Sequence, residues 1–188
     1  MKKLFIPTLG ILLLTACKNN NAEKKTDATT SSVTTQDKSG STASSGSASE
    51  MKVTLAGGAN EGTYTATSDE PTCSMGLTGA NSFGNQYSVS GKGDKEFSSL
   101  QLIVDDYEAA KAGTDKFYIK IAFGKRLEGT SYEINGSDNS MAGKKQGSGK
   151  LTITESGDTK IATIEGKTGA GVSITATLSC SSVIKSEQ

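Results

Sequence analysis

Beyond residue 50, apolar and polar residues alternate over short runs with a period of two. In Phe117-Tyr118-Ile119-Lys120-Ile121-Ala122-Phe123, the residues Phe117, Ile119, Ile121 and Phe123 share one face, and Tyr118 and Lys120 share the other. Successive side chains of a strand point to opposite sides, so this run predicts a half-buried strand. The spacing recurs in Leu100, Leu102 and Val104, in Tyr132 with Ile134, in Leu151 with Ile153, and in Val172, Ile174, Ala176 and Leu178. One apolar and one wet face per run predicts antiparallel sheet. Turn-forming residues separate the runs at 91–94, 113–115, 135–136, 157–158 and 169–171.

Three local features refine this pattern. Ile161 and Ile164 cannot share a face in a regular strand, and a β-bulge between them would restore the parity. Glu108-Ala109-Ala110-Lys111-Ala112 has helical composition and predicts a single turn or short helix within 105–113. Asn135-Gly136 is read as a tight hairpin turn. No other segment could supply crossover helices, which disfavours a parallel sheet. Residues 51–188 are therefore expected to form one all-β domain, an antiparallel β-sandwich or flattened barrel with one short helical turn.

Composition changes sharply before that domain. Residues 18–50 are almost entirely Ser, Thr, Ala, Gly, Asn, Lys and Asp, with Val33 the single branched aliphatic residue. Such a segment cannot bury enough apolar surface to offset chain entropy, so 17–50 is expected to be a disordered Ser/Thr-rich tether. A flexible coil of that length spans roughly 30 Å. The Ser/Thr density could accept O-glycans, but the composition also suits a plain spacer, which is the reading taken.

The chain begins Met1-Lys2-Lys3, followed by an apolar stretch over residues 4–16 that is too short to span a hydrocarbon core. It ends in Leu14-Thr15-Ala16-Cys17, which resembles the lipobox of bacterial lipoproteins. The resemblance implies that residues 1–16 are a signal peptide, that Cys17 is acylated with palmitate-like chains, and that the protein is held in a membrane of the cell envelope. Each buried methylene contributes roughly 0.8 kcal/mol, so two or three chains anchor durably. Lys18 stands where a retention rule of some Gram-negative bacteria looks for Asp. The outer membrane is therefore favoured in a host with two membranes.

With Cys17 lipidated, Cys73 and Cys180 remain as an even pair in a compartment that permits disulfides. Parity places Cys180 with Ile174, Ala176 and Leu178, and Cys73 with Met75 and Leu77, so both sulfurs are expected to reach the core as a bridge. Closing a loop of about a hundred residues is worth up to roughly 4.7 kcal/mol in the chain-entropy model. A redox-active pair would need Cys-x-x-Cys spacing, which is absent. The chain has no histidine, which argues against a metal site.

Charge is balanced, with 20 Lys and Arg against 20 Asp and Glu, and no basic stripe is interleaved with aromatics. Nucleic acid is not an expected partner. Lys125-Arg126 and Lys144-Lys145 are read as solvated loop residues. Without histidine, nucleophilic catalysis would need a Ser-Lys arrangement, and no Gly-x-Ser-x-Gly elbow occurs. Gly147-Ser148-Gly149-Lys150 lacks the upstream glycine of a phosphate loop and has Leu151 after the lysine, so it is read as the start of a strand. Asp105, Asp106 and Glu108 could pair as catalytic carboxylates or bind calcium, but an acidic solvated corner is preferred. No catalytic residue, metal or cofactor is assigned.

Two functions are consistent with this reading. The first is a non-catalytic binding or surface-interaction module, engaging an envelope or host protein or a glycan through loops and strand edges. The second is a periplasmic carrier whose strands enclose a small apolar ligand. An enzyme using carboxylates ranks last.

The layout also resembles the mycobacterial nineteen-kilodalton lipoprotein antigen family. The segments that carry this likeness are Leu14-Thr15-Ala16-Cys17, Cys73 and Ile174-Thr175-Ala176-Thr177-Leu178-Ser179-Cys180-Ser181, separated by a Thr/Ser/Ala-rich tether and the remaining chain. The resemblance implies a compact antiparallel sandwich displayed at the envelope, stapled by the Cys73 to Cys180 bridge, with adhesive or host-facing behaviour and no catalysis.

Overall fold

A computed structural model of the protein describes residues 48–89, 93, 95–125, 128–139 and 142–186. The signal, the lipobox with Cys17 and most of the tether lie outside the described residues, as do Arg126 and most of the 91–94 turn. The described chain forms eleven strands and one helix: β1 (Ser49–Ala56), β2 (Gly62–Ser68), β3 (Cys73–Met75), β4 (Phe83–Ser88), β5 (Phe97–Val104), α1 (Tyr107–Ala112), β6 (Phe117–Phe123), β7 (Ser131–Asn135), β8 (Ser148–Ser156), β9 (Thr159–Lys167), β10 (Ser173–Cys180) and β11 (Val183–Lys185). They build a β-sandwich of two open sheets. One has five strands in the order β2-β1-β10-β9-β8, and the other has six in the order β11-β3-β4-β5-β6-β7. Every pairing is antiparallel except that of β11 with β3.

The period-two runs decide which residues fill the interior. Phe117, Ile119, Ile121 and Phe123 of β6 are buried against Leu151, Ile153, Ile164, Ile174, Ala176 and Leu178 of the five-stranded sheet in one continuous core. Burying each large apolar side chain contributes roughly 1.5–3 kcal/mol. Asp106 caps α1, its carboxylate accepting from the backbone N–H groups of Glu108 and Ala109 at 2.9 and 3.1 Å. Gly113 ends the helix at φ +97°, a conformation that side chains beyond glycine rarely adopt.

Polar groups then bind the two layers together. The Cys73–Cys180 disulfide joins the first residue of β3 to the last of β10, one in each sheet. Beside it the Tyr87 hydroxyl donates across the interior to the Ser179 carbonyl at 2.9 Å. Toward the other end the Tyr132 hydroxyl donates to Asn60 Oδ1 and accepts from the Asn60 backbone N–H, each at 3.1 Å. A buried phenol brings both apolar area and a polar tip that needs a partner, and these contacts supply it.

Several expectations are corrected. The domain begins two residues earlier than 51, because β1 starts at Ser49, whose side chain is already buried. No bulge separates Ile161 from Ile164: β9 keeps an unbroken register with both neighbours, with Ala162 and Ile164 inward and Ile161 on the outer face. The irregularity lies in β5 instead, between Phe97 and Ser99. Leu77 does not continue the Cys73 face, since β3 ends at Met75 and Leu77 is 64 % exposed. Asn135-Gly136 is not a hairpin, because the chain after β7 crosses through residues 136–147 to β8 in the other sheet.

Candidate functional site

The two outer faces of the sandwich differ in kind. Outward positions of the five-stranded sheet carry threonine repeatedly, including Thr54, Thr63, Thr65, Thr163, Thr175 and Thr177. Threonine is the polar residue best suited to an exposed strand, so this face needs no further explanation. The described outward strand positions of the six-stranded sheet carry no threonine.

Register arranges those outward residues in rows running across β4, β5, β6 and β7. Ser88, Ser99, Ala122 and Ser131 are successive cross-strand partners. The next row is Gln86, Gln101, Lys120 and Glu133, and the one after it is Gly84, Ile103, Tyr118 and Asn135. The first row is a floor of small side chains, the second a wall of amides and charge. The third is largely covered. Ile103 and Tyr118 point outward but are almost buried, and the segments 76–82 and 136–139 meet where Asn139 Nδ2 donates to the Thr78 carbonyl at 3.2 Å.

Asn135 holds the second of those loops. Its Nδ2 group donates to the carbonyls of Ala142, Gly143 and Lys144 at 2.7, 3.2 and 3.0 Å, and its Oδ1 accepts from the Ser137 N–H at 3.1 Å. Asp105 braces the same loop, accepting from the Ser137 hydroxyl and, at 2.7 Å, from the Asp138 N–H. Lys145, and then Lys116, hydrogen-bond Asp138 and hold its carboxyl below the ordinary carboxylate range.

This relief leaves two adjoining hollows on the outer face of the six-stranded sheet. One, of about 490 Å³, lies over β3 and β4, reaches Ala66, Thr67 and Ser68 of β2 in the other sheet, and is also lined by Leu77, Val89, Ile103 and Ile184. Leu77, Val89 and Ile184 are the large apolar side chains that the described residues leave exposed, and all three border it. The other, of about 880 Å³, follows the small-residue row and is bordered by Gln86, Gln101, Lys120 and Lys125. Both volumes fall in the range of ligand sites. The hollows share Gln86, Ser88, Val89 and Gln101, so they form one surface.

The electrostatics of its wall are simple. Tyr118 beside it is pushed up to about 12 by burial and then by the neighbouring Glu133. Glu133 is engaged by the Tyr118 hydroxyl and the Gln146 amide. Among the described residues neither Lys120 nor Lys125 is in an ion pair. Among the described residues no carboxylate lines the larger hollow.

The residues singled out from the sequence have other places. Cys73 and Cys180 are bridged in the core. Asp105, Asp106 and Glu108 do not converge: Asp105 braces the 136–147 loop, Asp106 caps α1 and Glu108 pairs with Lys111 at 3.0 Å. Among the described residues no group of three or more His, Cys, Asp or Glu side chains is placed to hold a metal, and no helix is long and apolar enough to cross a membrane. Ser148 and Gly149 open β8, as the sequence suggests. The outer-face rows were not singled out in advance. Their residues are individually unremarkable, and only cross-strand register aligns them.

A second polar cluster lies at α1. The Tyr107 hydroxyl donates to Glu155, and Lys160 and Lys111 approach the same carboxylate at 3.1 and 3.5 Å. These contacts, the Tyr107 hydrogen bond first, lower the Glu155 carboxyl from 4.5 to about 2. The arrangement ties α1 to β8 and is structural in character.

No family model matches the chain, and no curated protein or solved structure matches it either. The likeness to the mycobacterial nineteen-kilodalton antigen family therefore rests on the short segments named above.

Proposed function

We propose that this protein is a lipid-anchored lipoprotein of the cell envelope whose β-sandwich is a non-catalytic binding module. In this reading the binding surface is the outer face of the six-stranded sheet. One observation carries the binding role: among the described residues the exposed large apolar side chains, Leu77, Val89 and Ile184, gather at one hollow. Contiguous apolar exposure rimmed by polar groups is characteristic of interaction sites. The anchor is supported by the apolar 4–16 stretch and the Leu14 to Cys17 motif, and Lys18 favours the outer membrane in a two-membrane host. The carrier alternative, which would hold its ligand between the sheets, has less support, because that space is occupied by the core side chains.

The test is covalent surface footprinting of the full-length protein, on intact envelopes and after purification in neutral detergent. Protection of Leu77, Val89 and Ile184 on envelopes, with Thr65 and Thr177 labelled equally in both, is the expected result. Equal labelling of all five positions would overturn the binding-face assignment. In parallel, Cys17→Ala should abolish incorporation of a fatty-acid label, and persistent labelling would refute the anchor.

A further inference from the structure

We propose that the larger hollow binds an anionic polysaccharide laid across β4, β5, β6 and β7. This rests on the binding-face reading above and names its ligand.

The shape comes from the floor. Ser88, Ser99, Ala122 and Ser131 form a straight row, so the trough crosses three strand spacings, roughly 14 Å. Small residues are weak choices for exposed strand positions, and the same chain places threonine at many such positions of the other sheet, alongside Ser173 and Ser179. The six-stranded sheet therefore gives up strand propensity where the trough runs, and what it gains is depth.

The chemistry comes from the walls. Gln86 and Gln101 offer amide donors and acceptors, the floor serines and Thr130 offer hydroxyls, and Lys120 and Lys125 offer positive charge with no carboxylate among the described lining residues. Glu133, the one acid in the neighbouring row, is turned to Tyr118 and Gln146. A polyhydroxylated chain bearing negative charge complements this set. An added peptide strand would run along the edge strand β7, whereas the trough runs across the strands over β4, β5 and β6, which are paired on both sides. Single-stranded nucleic acid would need exposed aromatic platforms, and Phe123, the aromatic residue in the lining, is buried.

The experiment is affinity electrophoresis of the full-length acylated protein in neutral detergent, through gels containing polygalacturonate, heparin, dextran or polyglutamate. Retardation is expected with polygalacturonate or heparin and not with dextran or polyglutamate. Lys120→Gln, and separately Ser131→Glu at an exposed floor position, should each weaken that binding about tenfold or more. Lys52→Gln on the opposite face should leave it unchanged, and unchanged melting of each variant shows that folding is intact.

Equal retardation by polyglutamate would reduce the effect to ion exchange and overturn the proposal. So would retardation by dextran, which would remove the role of charge, or binding that survives both trough variants. Failure to bind either anionic glycan overturns it as well. If phosphatidylglycerol vesicles are then bound in a Lys120-dependent way, the face is a lipid-contact surface instead. The footprint at Leu77 and Ile184 reads the apolar hollow, which the polysaccharide trough does not include, so failure of the ligand assignment is distinguishable from failure of the binding face.

Discussion

Gly149 of β8 and Gly166 of β9 are register partners, and side chains from the opposite sheet fill the space above them. A Cβ on Gly166 would stand 2.5 Å from the Ser148 carbonyl oxygen and 2.7 Å from both Gly149 Cα and Ile134 Cδ1. A Cβ on Gly149 would stand 3.1 Å from Phe117 Cζ. Two bare positions thus let β6 and β7 pack closely on β8 and β9. Gly166→Ala should destabilise by about 1–3 kcal/mol through overpacking. Gly79→Ala, where nothing lies within 4 Å, should stay within about 0.5 kcal/mol of the parent. Urea unfolding of both variants checks the contrast.

The Cys73–Cys180 bridge closes a separation of 107 residues. Its two sulfurs are buried and join the sheets, so the bridge constrains both the unfolded chain and the interface. Replacing both cysteines with alanine should lower stability by about 2–5 kcal/mol, with a matching fall in Tm. An unchanged melt would show that Tyr87 to Ser179 and the apolar interior suffice to hold the layers.

Asn135 is the organiser of the 136–147 crossing. Asn135→Asp would direct a carboxylate at the carbonyls of Ala142, Gly143 and Lys144, exchanging a donor for an acceptor where acceptors already converge. A loss of at least about 2 kcal/mol is expected, since the buried groups would be left unpaired. Hydrogen exchange should rise first at the Gln146 N–H, which bonds the Asn135 carbonyl at 3.0 Å.

Stability should fall with acid partly through Glu155. Its carboxyl is lowered from 4.5 to about 2 in the folded protein by the Tyr107 hydrogen bond and the Lys160 and Lys111 contacts. The stabilisation is complete above the ordinary carboxyl range and is lost as the pH drops through the folded value. Glu155→Gln should therefore melt below the parent at neutral pH, and the difference should close on acidification to about pH 2. A pH-independent difference would mean that the contacts act through shape and not through charge.

Much of the fold was legible in the chain. Phe117–Phe123 is a strand at the bounds its alternation suggested, and the helix falls where Glu108 to Ala112 placed it. β1 was missed although Met51, Val53 and Leu55 alternate there, and β2 was missed because only Tyr64 and Ala66 mark its inner face. The Ile161 and Ile164 parity misled, because a partly exposed isoleucine on a threonine-rich face suffices to break the pattern without a bulge. Asn135-Gly136 misled because a buried asparagine that gathers three carbonyls has the same local sequence as a hairpin turn.

The sequence by itself marked most of the inward-facing side chains, since period two is a property of each strand alone, and it singled out Cys73 and Cys180 as a pair. Only the tertiary structure decided which strands are neighbours and where the chain changes sheets. It alone brought Ser88, Ser99, Ala122 and Ser131 into one row. Those relationships join residues far apart in the chain through cross-strand hydrogen bonds, and no local pattern of polarity specifies such a partner.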